Sequence, residues 1–544
     1  MFFGVVSSGR RRRTGVVKAQ DVTSSPESSS QPSGLANGGV DAVHTRRWAV
    51  LLVLCLTLLV TSLDGTILNV ALPTIVRRLH ATSSQLQWVV DSYAIVFAGL
   101  LMIAGSLGDR LGRKWVFVAG IGAFAVGSAL SAFSTTPDQL IGARAFMGVG
   151  AAAIMPSTLS ILTNVFTNPT DRARAIGLWS GTNGLGLAIG PVVGGWLLSH
   201  YWWGSVFLIN VPIAAFACIA AIIVVPDSRN KDALRPDLVG AGTSLLGVAL
   251  LLWGIIEGPS RGWTSPVILG TILGSVLVVT GFIVWERHST HPLLQLSLFN
   301  SRRFSMAMAG LTLVLFSLSG GLFLLTQYLQ FCLGYSALDT GLRIVPIAIV
   351  LLVVAMLSSW FVRVIGTKIV VFVGIVLVGV GFALLGTVTT HTAYAGVLPA
   401  LFLLGIGSGL AFAPCTESVM GSVSLDLAGV GSATNSTALQ IGSALGVAVL
   451  GSLLNTRYQF DMRQLLFHVA VPTSIKSTVL GSLGGALGVA NHVGGVLGAH
   501  LASSARQSFI NAMVFAVRIG AVIAGAAAMV VLLFLPARPT RRPE

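Results

Sequence analysis

Four ionisable side chains lie in or at the edge of long apolar stretches, where their chemistry cannot be left to water. Asp64 falls well inside the first such stretch, residues 48–71. A carboxylate deprived of hydration there can take up and release protons at physiological pH, which suits it to couple protons or cations to another event. The competing reading is a structural hydrogen bond to Asn69 or to a neighbouring helix. Asp91 follows Trp88 by three residues and precedes Tyr93 by two. That spacing fits a wall of aromatic and carboxylate groups for an organic cation, and equally an acid at the external interface beside an aromatic belt. Glu417 closes a later stretch, either as a half-buried coupling group or facing cytoplasmic water. Arg144 keeps its charge in any surroundings, so it requires a carboxylate, carbonyls or water. A guanidinium that pairs with a cavity carboxylate in one conformation and withdraws in another would drive its deprotonation; plain helix packing is the alternative.

The elements that carry these groups follow from composition. Of 544 residues, 54% are hydrophobic and 9% charged, with a mean hydropathy of +0.85. Soluble domains are roughly 25% charged, so lipid is the solvent. The apolar runs are about twenty residues long without alternation, which fits helices crossing roughly 30 Å rather than barrel strands. Hydropathy predicts an all-α integral membrane protein with six spans near 48–71, 87–107, 115–133, 139–162, 174–198 and 205–225. Two follow near 238–256 and 266–285. Six more lie near 305–330, 342–362, 368–388, 395–418, 433–455 and 510–536, fourteen in all.

Domain organisation follows the same count. Residues 1–47 read as a disordered basic tail that lacks the core of a signal peptide, and its arginines fit a solvated cytoplasmic run better than a lipid-binding cluster. Residues 48–225 and 305–536 form two six-helix halves, residues 226–304 add two peripheral helices with linkers, and 537–544 is a cytoplasmic tail. The Gly- and Ala-rich region 456–509 is expected to be a long external loop with one or two surface helices rather than a fifteenth span. With both termini cytoplasmic, 23 of the 33 Lys and Arg fall on the inner side and 8 on the outer, with Arg144 and Arg518 inside spans. The positive-inside rule supports that orientation, and it accounts for the net charge of +15 without nucleic acid.

A faint repeat relates the halves: Gly112-Arg113-Lys114 after the second span and Gly366-Thr367-Lys368 at the corresponding place in the last six. Duplicated halves of this kind build alternating access in many carriers. Gly105-Ser-Leu-Gly-Asp109-Arg110-Leu-Gly112-Arg113-Lys114 combines a turn-forming glycine with an acid and cations that can form a charge latch. Gly186-Leu-Ala-Ile-Gly190-Pro191-Val-Val-Gly194-Gly195 spaces small residues for close helix contact and interrupts one backbone bond at Pro191.

Together with Leu63-Asp64-Gly-Thr66-Ile-Leu-Asn69-Val-Ala-Leu-Pro73 and Ile141-Gly-Ala-Arg144-Ala-Phe-Met147-Gly148-Val-Gly150, these segments resemble the major facilitator superfamily, and within it the fourteen-span drug:proton antiporters. The resemblance covers nearly all of 48–536. It implies a major facilitator fold of two six-helix halves plus two extra central helices. It also implies a latch at Gly105, Asp109, Arg110, Gly112, Arg113 and Lys114, an antiporter hinge at Gly186, Gly190, Pro191, Gly194 and Gly195, and coupling or substrate contacts at Asp64, Asp91, Arg144 and Glu417. Met147 stands where the motif commonly has Gln, and Leu439 where relatives usually have Arg.

The expected function is therefore export of small amphipathic compounds, cationic or neutral, in exchange for protons across the cytoplasmic membrane. A carrier for a specific metabolite, lipid precursor or siderophore is the alternative. The energy source is the proton gradient: no phosphate-binding Gly-Lys-Ser/Thr sequence occurs. No cofactor, metal site or disulfide is expected, because Cys55, Cys218, Cys332 and Cys415 lie apart in apolar stretches. No nucleophile constellation suggests an enzyme.

Overall fold

Helix starts are written into the sequence as capping residues. Thr82 accepts from the Gln85 amide while the Gln85 side chain accepts from the Thr82 backbone, a reciprocal box that opens one helix. Thr136-Pro137, Asn168-Pro169 and Ser265-Pro266 each pair a capping side chain with a proline at the first helical position. The computed structural model describes residues 37–229, 237–289, 292–423, 428–467 and 472–536. The chain divides into Met1–Thr45, described only from Asn37 as the start of the first helix, and Arg46–Glu544, which holds the bundle. Of the expected tail at 1–47, residues 1–36 lie outside the described residues and 37–47 begin the first helix; the expected tail at 537–544 also lies outside them.

The helices of the first half are α1 (Asn37–Leu79), α2 (Ser83–Leu111), α3 (Arg113–Ala132), α4 (Pro137–Val165), α5 (Pro169–His200) and the broken pair α6 (Ser205–Leu208) and α7 (Asn210–Val224). Then come α8 (Leu238–Arg261) and α9 (Pro266–His288). The second half holds α10 (Arg302–Gln327), α11 (Ala337–Ile365), α12 (Thr367–Leu385), α13 (Tyr394–Met420), α14 (Ala428–Leu465), α15 (Thr473–Gly481), α16 (Leu483–Val493) and α17 (Gly495–Phe534). Among the described residues, 13 segments are long and apolar enough to cross a membrane, α6 and α7 counting as one. The fourteenth span is α5. It has 32 residues, but Ser180, Thr182, Asn183 and its glycines dilute its apolarity; packing against α1 and α11 places it in the bundle.

The repeat is visible in backbone geometry. Gly112 between α2 and α3 and Gly366 between α11 and α12 both adopt positive φ, +114° and +88°, a region costly for side-chain-bearing residues. Eight residues further along, Gly120 meets Gly150 across α3 and α4, and Gly374 meets Gly407 across α12 and α13, with no room for a Cβ on either side.

Hydropathy ended one span too early and began another too late. The thirteenth was expected to stop at 455 and the fourteenth to start at 510, yet α14 runs to Leu465 and α17 begins at Gly495. The extra turns are not apolar enough to be read as membrane, but those of α14 bury Tyr458, Gln459 and Met462, and the Tyr458 hydroxyl donates to the Val479 carbonyl at 3.1 Å. Between them, α15 and α16 have 9 and 11 residues. At 1.5 Å per residue neither can cross roughly 30 Å of hydrocarbon.

The halves meet through α2 against α14 and α5 against α11. Their hydrogen bonds gather at one end of the bundle. Gln330, in a single π-helical turn Tyr328–Cys332 that extends α10, donates to the Val70 carbonyl at 2.9 Å, and Ser452 of α14 reaches Gln87 of α2 at 3.2 Å. Of the two added helices, α8 takes part in this closure, contrary to its expected peripheral place, while α9 packs on α8 and stays largely exposed. Pro259 inside α8 has no N–H to give to the carbonyl of Ile255 four residues earlier. Ser452 Oγ lies 2.7 Å from that freed carbonyl, and Ser84 of α2 donates to the next one, Ile256, at 3.4 Å. Helix α8 thus straps both sides of the seam.

Replacing Ser452 by Ala leaves a buried carbonyl unpaired, which costs roughly 1–3 kcal/mol. In a Pro259→Ala background the restored N–H satisfies Ile255 internally, so the same Ser452→Ala change costs much less. Thermal unfolding of the four proteins measures this coupling; additive effects would exclude the strap.

Candidate functional site

The site forms where α1, α2, α3, α4 and α7 converge. Helix α1 brings Asp64 and α4 brings Arg144, each 1% exposed. Arg144 Nη1 lies 2.5 Å from Asp64 Oδ2. The guanidinium also donates through Nε to the Val89 carbonyl of α2 at 3.2 Å, and stacks over the Tyr93 ring at 4.4 Å. The second Asp64 oxygen accepts from Asn210 Nδ2 at 3.3 Å, and that amide also reaches Ser128 Oγ of α3 at 3.3 Å. Such a pair tolerates burial only because each charge is met by the other and by neutral hydrogen-bonding groups. Asp64 is therefore held by Arg144 and Asn210, while Asn69 donates to the Gly65 carbonyl of its own helix.

Met147 takes the place of a hydrogen-bonding amide with its sulfur. Ser128, Ser131 and Arg144 approach Sδ at 3.8, 3.3 and 3.7 Å. A thioether accepts weakly, so it fills the space between the hydroxyls and the guanidinium without competing with Asp64 for Arg144.

Beside the buried pair, α1 presents another face. Gly65 is exposed, with no atom within 4 Å of the place a Cβ would occupy. One turn earlier Ser62 hydrogen-bonds Asn183 of α5. Asp64 thus sits one residue from open space while pointing away from it into protein.

Asp91 lies apart from this pair. It is wholly buried, so it faces protein and not solvent. Neither carboxylate oxygen has a hydrogen-bond partner, and Gln87 Nε2 one turn away is also unpaired. Trp88 packs with Leu252 and Ile256 of α8 and Ala444 and Ala448 of α14, so it serves the seam and not a cation wall. Glu417 is exposed in the last turn of α13, because that helix continues to Met420 beyond its apolar part; its half-buried placement is corrected.

The loop motif is drawn together within the first half. Arg113 pairs with Asp109 at 2.8 Å, Lys114 donates to the Ile222 carbonyl of α7 at 2.7 Å, and the Arg113 amide donates to the Ser228 carbonyl at 3.0 Å. Arg110 is exposed. The glycines of α5 serve two contacts: Gly186, Gly190 and Gly194 face Ser62, Thr66 and Ile67 of α1, while Pro191 and Gly195 lie against Gly341 and Ala337–Leu338 of α11.

Sequence reasoning missed Asn210, Tyr93 and Ser128 as members of the site. Asn210 carried a usable signal, an amide inside an apolar span.

Two six-helix halves, a helix pair between them and a buried carboxylate–guanidinium pair in one half define a multi-pass membrane carrier. The chain belongs to the Major Facilitator Superfamily, whose model matches residues 54–447. That makes it a transporter and not an enzyme. It is 32% identical over 90% of its length, and 96% of the relative's, to the "Multidrug efflux pump LfrA" of Mycolicibacterium smegmatis. It is 34% identical over 80% of its length, and 81% of the relative's, to "Multidrug resistance protein Stp" of Mycobacterium tuberculosis. Among solved structures it resembles a bacterial homologue of the human lysosomal transporter Spinster in an inward-facing, unoccupied conformation, with TM-score 0.66 and 18% identity, covering 91% of this chain and 99% of that one.

Removing the cation by Arg144→Gln strands a buried charge, a loss on the order of 3–5 kcal/mol. The double variant Asp64→Asn/Arg144→Gln recovers most of it. Melting temperatures in detergent give the comparison, and a double variant no more stable than Arg144→Gln would contradict the pairing.

Proposed function

We propose that this protein exports small amphipathic compounds, cationic or neutral, across the cytoplasmic membrane in exchange for protons. The observation that carries this reading is Asp64, a carboxylate sealed against Arg144 and Asn210 yet one residue from the open face at Gly65. The efflux and resistance proteins to which the chain is similar over most of its length supply the substrate class.

In this reading both termini are cytoplasmic, residues 48–225 and 305–536 are the moving halves, and the closed seam at Val70, Gln87, Gln330 and Ser452 lies outside. The compound occupies the space along Thr61, Ser62, Gly65 and Asn69. A proton arriving at Asp64 neutralises it, so Arg144 loses its ionic partner and keeps only the Val89 carbonyl and the Tyr93 ring. Opening inward lets Arg144 regain the carboxylate and releases the proton to the cytoplasm. Asp91 is the second coupling group: unpaired within the closed seam, it meets water when α2 and α14 separate. Gly105, Asp109, Arg110, Gly112, Arg113 and Lys114 latch the cytoplasmic end, and Gly186, Gly190, Pro191, Gly194 and Gly195 form the pivot between α1 and α11. Glu417 stays in cytoplasmic water and takes no proton in the cycle.

Proteoliposomes with an imposed pH gradient and a fluorescent organic cation test this. Wild-type protein moves the dye against protons, and Asp64→Asn abolishes the pH-dependent component; unchanged pH dependence in that variant would sink the proposal. Gly65→Trp fills the open face and lowers transport of bulky dyes at least several-fold more than that of small ones. Equal losses for both would place the compound elsewhere.

A further inference from the structure

Arg77 and Arg78 lie in the last turn of α1, where the helix C-terminus offsets their charge only in part. Neither forms an ion pair among the described residues. Arg77 reaches only neutral oxygens, Thr74 Oγ1 at 3.4 Å and Gln330 Oε1 at 3.5 Å, and lies over the Phe331 ring at 5.7 Å. Arg78 is exposed. The two line a cavity of about 600 Å³ together with Thr74, Ser199 of α5, and Ser336 at the head of α11. The acid near this rim, Asp339, is already engaged by the Ser336 hydroxyl at 2.7 Å and by Arg343 at 3.2 Å. Adjacent like charges facing a cavity without an acid repel each other, and an anion there relieves that repulsion.

We propose that this cavity binds a phosphate group. Two guanidiniums side by side present forked donors that match the oxygens of a phosphate better than a spherical ion. The volume is that of roughly twenty waters at ~30 Å³ each. It exceeds what bare orthophosphate fills and accommodates the headgroup of an anionic phospholipid. The walls come from both halves, α1 and α5 on one side and α11 on the other, so the site exists whole only while this end of the seam is closed. A ligand that binds one conformation alone shifts the population toward it. Phosphate binding here therefore favours the state closed at this end and slows its opening.

The full chain in phosphatidylcholine nanodiscs, with no transported compound present, is melted in inorganic phosphate and in chloride at equal ionic strength, and again in nanodiscs containing phosphatidylglycerol. The melting temperature rises by several degrees with one phosphate source or both. A rise with phosphatidylglycerol alone identifies the lipid headgroup, and one with inorganic phosphate identifies the free ion. The rise is lost in Arg77→Gln/Arg78→Gln and retained in Arg77→Lys/Arg78→Lys. Should the double glutamine variant fail to fold, Arg78→Gln, whose wild-type side chain makes no hydrogen bond or ion pair among the described residues, replaces it and shows a reduced rise. No rise in the wild-type protein, or an equal rise in the glutamine variants, overturns the proposal.

Discussion

The pairing of Asp64 with Arg144 constrains much of what surrounds it. Two charges at 1% exposure survive in a bundle only if nearby helices supply what water would. Helix α2 gives the Val89 carbonyl and the Tyr93 ring, α7 gives Asn210, and α3 gives Ser128 to hold Asn210 in place. Five helices are thus committed to one ion pair, which ties the first half together as a body. The second half contains no such pair between its helices among the described residues; its contacts between helices include Ser443 with Ser319 at 2.7 Å and the Arg518 guanidinium of α17 on the Gly386 carbonyl at 3.0 Å. A cation there is met by a neutral carbonyl, whereas in the first half it is met by an acid.

Much of this was legible in the sequence, and the exceptions have physical causes. Apolar runs located the spans because lipid penalises every unpaired backbone group. The same criterion failed at α5, where polar and glycine residues serve helix contacts, and at the ends of α14 and α17, where helix continues without apolarity. Asp64 and Arg144 stood out because charge inside a membrane needs a reason. That they are partners did not, since residues 80 positions apart are related only by the fold. Asp91 showed the opposite failure. Its spacing from Trp88 and Tyr93 suggested an aromatic face, but burial depends on which helix lies against it, and α14 is more than three hundred residues further along the chain.

The part of α8 has a consequence for how the molecule is assembled. The carbonyl of Ile255 loses its own helix partner at Pro259 and meets Ser452, 197 residues later in the chain. During synthesis α8 must enter the bilayer with that oxygen unpaired, or paired to a borrowed donor, until α14 has been made. A membrane penalises such an orphan, so α8 is left incomplete until the second half docks. One proline thereby makes the last-made helices a condition for finishing an early one, and a chain truncated before α14 carries an exposed defect by which quality-control proteases could recognise it.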